Sequence, residues 1–130
     1  MARKYLKDLG IDGNPSGLQP EDPRWGRWNR ETEEYGFPSY ETWSMDFYFY
    51  CWLYERLKMY LEVNCVDLNF HKFHFDGEEY TQQELIDKML RGCELAILQE
   101  CKHKKLTEDE EQEVDNVPWI WATVMYAMWW

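Results

Sequence analysis

The fold is decided by the stretch SYETWSMDFYFYCWLYERLKMYLEV, residues 39–63. Its apolar side chains recur every three or four positions, the spacing that places them on one face of an α-helix. Ser39 is a suitable N-cap, and Glu41 lies in the first turn, where the helix dipole favours a negative charge. The run 47–54 is apolar or aromatic all round, which is typical of a helix covered on most sides. We expect one long central helix that ends near Val63. Its apolar positions are Trp43, Phe47, Tyr50, Cys51, Tyr54, Leu57 and Leu61.

Two capping boxes predict two further helices. Residues 81–84 (TQQE) begin the first of them, which ends in the basic run 102–105. Residues 107–110 (TEDE) begin the second. Pro118 either kinks this helix or ends it and begins another. The apolar stripe of the first helix comprises Leu85, Ile86, Met89, Leu90, Cys93 and Ile97. Trp119, Ile120, Trp121, Val124, Met125, Met128, Trp129 and Trp130 fill a core face at the end of the chain and extend beyond it.

The segments around these helices carry turn-forming residues. Residues 10–38 contain four of the five prolines and five of the seven glycines, which predicts an extended loop on the body of the protein. Trp25 and Trp28 would pin this loop to the core. Residues 3–9 form either a helical turn or a strand. Residues 65–80 form either a short strand or an ordered loop, with a turn at 76–77 (DG).

The predicted fold is mainly α, a single compact helical domain of three to four helices. The chain of 130 residues supports one domain. Residues 1–38 would form a long irregular N-terminal segment packed on a helical body, residues 39–130. A short β-hairpin or strand is expected around 66–76. A calcium loop in that region is excluded, because Lys72 and His74 would occupy positions that need oxygen ligands.

The charge is negative and unevenly placed. The chain has a net charge of −11, and residues 76–130 hold thirteen acidic and five basic side chains, a net of −8. Such a chain repels phosphate, so we expect no direct nucleic-acid binding. The apolar tail from Val117 to Trp130 spans 14 residues, fewer than the ~20 that a membrane-spanning helix needs. The N-terminus has no apolar export signal, so we expect a cytoplasmic protein with reduced cysteines.

Motifs for catalysis and metal binding are lacking in the sequence. The four cysteines include no closely spaced pair of the kind that zinc sites use. There is no G-x-S-x-G, no phosphate-binding glycine loop and no H-E-x-x-H. We therefore expect no catalytic residue, no metal site and no cofactor.

Two patterns indicate binding to another protein. The first is an acidic edge of spaced carboxylates, which would attract a host or viral protein with a basic surface. The second is the excess of aromatic residues, which are enriched at protein interfaces. The acidic edge comprises Glu78, Glu79, Glu84, Asp87, Glu108, Asp109, Glu110, Glu111, Glu113 and Asp115. The aromatic candidates for partner binding are Trp25, Trp28, Trp129 and Trp130.

Several stretches of residues 41–130 resemble, in their order, a family of uncharacterised phage and prophage proteins. They are residues 41–46 (ETWSMD), 54–58 (YERLK), 76–82 (DGEEYTQ), 86–89 (IDKM) and the final 128–130 (MWW). The family has no established activity and supplies no catalytic residues. The resemblance implies a virus-encoded protein that acts in the cytoplasm of an infected bacterium.

These observations together predict a non-enzymatic binding protein. By analogy with other small acidic phage proteins, we expect it to inhibit a host defence nuclease in the manner of an anti-CRISPR protein, with carboxylates that mimic nucleic-acid phosphates. One alternative is a virion or packaging accessory that self-associates, as a homo-oligomer, through its tryptophan-rich tail. Another is a small-molecule-binding protein or enzyme with an aromatic-lined pocket.

Overall fold

The structure, a computed structural model, describes residues 3–129. Helices make up 62% of it, and a two-stranded antiparallel sheet completes it, which confirms the predicted mainly α fold class. The helices are α1 (Lys4–Lys7), α2 (Trp25–Tyr35), α3 (Met45–Val63), α4 (Gln82–Lys102) and α5 (Glu108–Val124). The strands are β1 (Lys72–Phe75) and β2 (Glu78–Thr81), and two 3₁₀ turns cover Ser39–Thr42 and Met125–Ala127.

The three long helices pack side by side, with α4 in contact with both of its neighbours. The amide of Gln82, at the start of α4, donates to the carbonyl of Ala127, just beyond the end of α5. Helices α4 and α5 therefore run antiparallel. The hydroxyls of Tyr50 and Tyr60 on α3 donate to the carbonyls of Val114 and Trp129. Helices α3 and α5 therefore run parallel to each other.

The core lies between these helices and is closed at one side by the start of the chain. Aliphatic side chains dominate its centre, where they are removed from water at about 25 cal/mol per Å² of apolar surface. The largest fully buried side chains are Leu6, Leu53, Leu57, Leu85, Ile86, Met89, Leu95, Ile97, Ile120, Val117, Val124 and Cys51.

Gly92 sets how closely α4 approaches α5. A Cβ atom at this position would clash with Val117 and would lie 2.6 Å from the carbonyl oxygen of Glu113. Only a residue without a side chain allows the two backbones this separation.

Pro118 lies inside α5 and does not end it. A proline has no backbone N–H, so it cannot donate to the carbonyl four residues earlier, which belongs to Val114. The hydroxyl of Tyr50 on α3 donates to that carbonyl at 3.4 Å. A side chain from the neighbouring helix thus supplies the donor that proline removes.

Helix α2 lies inside the segment that was expected to be irregular, and this corrects the prediction for residues 25–35. Gly36 ends the helix in the left-handed conformation, with its N–H donating to the carbonyl of Thr32. Trp28 is buried, and its ring packs edge-on against the rings of Tyr40 and Trp43. The prolines of this segment all lie outside the helix and do not interrupt it.

The predicted helix starts are confirmed for α4 and α5 but wrong for α3. Thr81 and Thr107 each form the full capping box with the glutamate three residues on. Ser39 does not cap α3, because its hydroxyl donates to the carboxylate of Glu31 on α2. The chain makes a 3₁₀ turn there, and α3 begins six residues later, at Met45.

The ambiguous region forms a β-hairpin that lies a few residues later than expected. Lys72 pairs with Thr81 and Phe75 pairs with Glu78 across the two strands. Asp76 and Gly77 both adopt positive φ, 52° and 77°, as the tightest two-residue hairpin turn requires. The hairpin leads directly into α4.

Candidate protein interaction face

The outer face of α5 changes character halfway along the helix. Six exposed residues share this face and its continuation into the 3₁₀ turn Met125–Ala127, because they recur at three- and four-residue intervals on the side away from the buried Val117. The first three are acidic and the last three are apolar or aromatic. Trp119 and Tyr126 are 70% and 87% exposed. In order, the six are Glu108, Glu111, Asp115, Trp119, Ala122 and Tyr126.

A second apolar stripe lies on α3, on the side away from the core. Its residues follow each other at intervals of four and three, so they line up along about 27 Å of the helix. All but the half-buried Phe49 are exposed. The guanidinium of Arg56 lies 5.2 Å from the ring centre of Trp52. The stripe comprises Met45, Phe49, Trp52, Arg56, Met59 and Val63.

An edge-on contact between two tryptophans joins α3 to the side of α5 that carries Trp121. The rings of Trp52 on α3 and Trp121 on α5 lie 6.3 Å apart at an angle of 78°. Along α3, an open groove of about 640 Å³ runs between Tyr5 on one side and Trp121 and Met128 on the other. We call the apolar and aromatic side chains on the solvent-facing sides of α3, α5 and the chain end, taken together, the aromatic face. It comprises Met45, Trp52, Met59, Val63, Trp119, Trp121, Met125, Tyr126 and Trp129.

Hydrogen bonds hold the end of the chain in place beside this face. The hydroxyl of Tyr60 donates to the carbonyl of Trp129 at 3.0 Å, and the amide of Gln82 donates to the carbonyl of Ala127 at 3.3 Å. The ring of Trp129, 71% exposed, is therefore presented from a fixed backbone. A surface fixed before binding loses less conformational entropy when a partner docks.

The predicted acidic edge is divided between two ends of the helix pair. Glu84 and Asp87 lie in the first two turns of α4, and β2 with Glu78 and Glu79 leads into that end. The remaining carboxylates belong to the first half of α5, which lies beside the far end of α4 because the two helices are antiparallel. The structure therefore presents two acidic clusters rather than one continuous row.

Several of these carboxylates have partners within the protein. The guanidinium of Arg91 lies 3.4 Å from the carboxylate of Glu110 and 3.9 Å from that of Glu113. Lys104 also contacts Glu110, at 3.9 Å. The carboxylate of Asp87 accepts a hydrogen bond from the amide of Gln83.

The capping boxes engage two more of the predicted residues. The carboxylate of Glu84 accepts from the backbone N–H of Thr81, and that of Glu110 accepts from the N–H of Thr107. These bonds favour the charged form and lower the pKa of both glutamates. Four acidic residues of α5 form no ion pair within residues 3–129. They are Glu108, Asp109, Glu111 and Asp115.

The predicted aromatic candidates occupy different environments. Trp28 is 3% exposed, and the half-buried Trp25 packs edge-on against it. Both belong to a ring cluster that fixes α2 to the body, so Trp28 is an internal residue and not a surface one. Trp129 is exposed on the aromatic face. Trp130 lies outside the described residues.

Trp119, Tyr126 and the α3 stripe are surface residues that the sequence pattern alone does not identify. A signal was present, because Trp119 and Tyr126 are seven positions apart, as are Met45, Trp52 and Met59. That spacing predicts a shared face but does not tell whether the face is buried. The all-round apolar character of α3 arises because one face packs into the core while another lies on the surface.

The two buried thiols provide little chemistry at neutral pH. Burial raises the pKa of Cys51 to about 12 and also raises that of Cys93, so both remain protonated. Between Arg3 and Trp129, no group of three or more histidine, cysteine or acidic side chains is arranged to hold a metal ion. No helix in the same range has the length and apolar character needed to cross a membrane.

Comparisons of the chain with protein-family models, with curated proteins and with solved structures found no match. The resemblance to phage proteins therefore depends on the quoted motifs alone.

Proposed function

We propose that this chain is a non-enzymatic binding protein that docks on a partner protein with a basic surface. The aromatic face would form the centre of the interface, and the unpaired carboxylates of α5 would form its charged rim. The observation that carries the proposal is that both features occur on one helix, α5, where Asp115 precedes Trp119 by about one turn.

This arrangement matches the energetics of protein interfaces. Binding energy is concentrated in a few buried aromatic residues at the centre, while charged residues at the rim guide association and fix orientation. A typical monomer does not expose contiguous apolar patches larger than a few hundred Å². The exposure of Trp119, Tyr126 and Trp129, together with the open groove along α3, is the kind of surface that a partner covers.

The resemblance to phage proteins narrows the partner class. Nucleases that act on nucleic acid have basic channels, and Glu108, Asp109, Glu111 and Asp115 would meet the lysines and arginines of such a channel. Inhibition of a host defence nuclease in the bacterial cytoplasm is accordingly the activity we propose for this surface, with no enzymatic step.

Affinity capture with mass spectrometry from a bacterial host lysate tests the proposal, followed by binding measurements on the purified pair. Replacing Trp119 and Tyr126 by alanine should weaken binding by about tenfold or more, since each central aromatic side chain contributes of the order of 1–2 kcal/mol. Replacing Glu111 and Asp115 by Gln and Asn should weaken binding less and reduce its dependence on salt.

Phe70→Ala is the matched control, because Phe70 is as exposed as Trp119 but lies in the loop before β1, outside the aromatic face. Equal losses from Phe70→Ala and Trp119→Ala would contradict the assignment of the face. Binding that does not respond to salt would contradict the role of the carboxylates.

Self-association is the second candidate function, and the α3 stripe favours it. If two copies of α3 are laid antiparallel about Tyr54, Met45 meets Val63 of the second copy, and Phe49 meets Met59. Trp52 then meets Arg56 of the second copy, which preserves the contact between cation and ring. A stripe that is complementary to itself is what a symmetric dimer requires.

The effect of salt on association distinguishes the two candidate functions, because charge opposes self-association but favours binding to a basic partner. Two copies that each carry −11 repel one another, so added salt should strengthen a dimer. Binding to a basic partner should weaken under the same conditions. Light scattering of the purified chain at low and high salt, with Trp52→Ala as the disrupting variant, measures the first effect directly.

A further inference from the structure

A cavity of about 380 Å³ lies at the end of the molecule where α3 begins and α4 ends. The loop 10–17 forms one wall, and the last turn of α4 contributes Glu100, Cys101 and Lys102. The aromatic side chains Tyr40, Trp43, Phe47 and Tyr48 complete the lining. None of these residues belongs to the aromatic face. The volume of the cavity lies within the ~300–1,000 Å³ typical of small-ligand sites.

The aromatic wall is continuous. The ring of Tyr40 lies 6.2 Å from the rings of both Trp43 and Tyr48, and the ring of Tyr48 lies 5.5 Å from that of Phe47. Burial raises the pKa of Tyr48 to about 12, so its phenol stays neutral at physiological pH. Trp43 is the exposed member of the wall, at 58%.

Side-chain hydrogen bonds hold the facing loop rigid. The amide nitrogen of Asn14 donates to the hydroxyl of Tyr40 at 2.6 Å, and its oxygen accepts from the backbone N–H and the hydroxyl of Ser16. The thiol of Cys101 donates to the carbonyl of Pro15 at 3.5 Å, which joins the loop to α4. The cavity is therefore formed before any ligand enters.

The charges around the cavity favour a cation. Asp12 and Glu100 line it, and neither forms an ion pair within the part of the chain that the structure describes. Lys102 is the single cationic side chain among the lining residues, and it lies along Gly10. Arg24, whose guanidinium lies over the ring of Trp43, is already paired with Asp22 at 3.0 Å. The unpaired charges at the cavity therefore sum to −1, which favours a cation over an anion.

Aromatic rings bind organic cations through the negative potential of their faces. The same ring cluster already holds a cation of the protein itself, because the guanidinium of Arg24 lies 4.8 Å from the ring centre of Trp28 and 5.4 Å from that of Trp43. Aromatic rings and unpaired carboxylates that line one cavity form the combination that recognises a methylated ammonium group.

We propose that this cavity binds a methylated ammonium ion, with Tyr40, Trp43 and Tyr48 contacting its methyl groups and Asp12 and Glu100 balancing its charge. The group could belong to a free molecule such as choline or to a methylated lysine side chain. The proposal does not depend on the function assigned to the aromatic face.

Titration of the full chain with choline, followed by calorimetry and tryptophan fluorescence, tests the proposal. The uncharged isostere 3,3-dimethylbutan-1-ol has the same shape without the charge, and choline should bind about tenfold more tightly. A short peptide with trimethyllysine forms a second arm, and the tighter of the two ammonium probes identifies the source. Equal binding of choline and the alcohol, or binding by neither ammonium probe, overturns the proposal.

Variants that change the charge of the lining residues test whether the cavity prefers a cation or an anion. Asp12→Asn should weaken choline binding severalfold, and Lys102→Met should strengthen it by a similar factor. The reverse pattern would identify an anion site and overturn the proposal. All three side chains of this test, Asp12, Lys102 and the control Asp109 (changed to Asn), are exposed, so these variants should fold. Trp43→Ala should weaken binding, whereas Trp119→Ala on the distant face should not.

Discussion

Glu84 illustrates how one side chain links a helix start to pH. The backbone N–H of Thr81 donates to its carboxylate and lowers its pKa below the ordinary value. A carboxyl whose pKa is lower in the folded state stabilises the protein above its unfolded pKa. That contribution is lost as the pH falls through the folded pKa.

We expect Glu84→Gln to lose stability relative to the wild type at pH 6 and to match it more closely near pH 3. Glutamine keeps the capping geometry but carries no charge, so only the titrating part changes. Thermal unfolding of both proteins across this range measures the difference. Glu79→Gln is the control, since Glu79 is exposed on β2 and makes no hydrogen bond through its side chain within residues 3–129. A wild-type advantage that grows as the pH falls would contradict this account.

Tyr50 and Pro118 form a pair whose effects should depend on each other. Tyr50→Phe removes the donor to the carbonyl of Val114 and should cost about 0.5–1.5 kcal/mol of unfolding free energy. In Pro118→Ala, the backbone N–H of residue 118 can bond that carbonyl, so Tyr50→Phe should then cost less. Chemical denaturation of the two single variants and the double variant gives the coupling energy. Strict additivity would show that the hydroxyl does not substitute for the missing N–H.

At the scale of elements, the contact between α4 and α5 depends on Gly92. We expect Gly92→Ala to destabilise the protein by about 1–3 kcal/mol, because the added methyl group meets the backbone of Glu113 as well as the side chain of Val117. Gly26→Ala on α2 is the matched control, since the nearest atom there is the end of the flexible Arg30 side chain, 3.7 Å away. That change should stabilise the helix by about 0.5–1 kcal/mol. Denaturant midpoints that shift in the same direction would contradict the close approach.

The helices differ in how well the local sequence predicts where they begin. The difference arises because the hydrogen bonds at the start of a helix can be made either by nearby residues or by distant ones. The capping boxes at Thr81 and Thr107 form all their hydrogen bonds within four residues of sequence, so the sequence pattern alone locates the starts of α4 and α5. The hydroxyl of Ser39 bonds Glu31 instead, a partner on α2 that local spacing does not reveal. Helix α2 was missed because its neighbourhood is rich in glycine and proline, whereas its formation depends on burying Trp28 against Tyr40 and Trp43.

The sequence predicts what type of site the protein carries but not which residues form it. Acidic and aromatic composition indicates binding, and all the carboxylates of α5 except the half-buried Glu110 are exposed. Which tryptophans reach solvent depends on how the helices pack, because Trp28 is buried although its neighbours are polar, whereas Trp119 is exposed although its neighbours are apolar. The cation cavity joins segments that are about ninety residues apart in sequence, from Asp12 to Glu100, and only the fold brings them together.

At the scale of the whole molecule, stability should be concentrated in α4. This helix packs against both α3 and α5, whereas α2 buries Trp28 alone among its side chains. We expect hydrogen exchange to be slowest in the middle of α4 and fastest among the helices in α2, because local opening exposes less apolar surface where fewer side chains are buried. Exchange followed by mass spectrometry resolves the two segments. Equal protection would mean that the N-terminal segment unfolds only together with the body.

The loop after α3 gives the molecule a natural attachment point for a dye. Cys65 is exposed and lies two residues beyond Val63 of the aromatic face, whereas Cys51 and Cys93 are buried and Cys101 donates to a backbone carbonyl. A maleimide fluorophore should therefore couple at Cys65 first, with no engineered cysteine. Its emission would report the arrival of a partner on the neighbouring helix, which turns the wild-type chain into its own sensor.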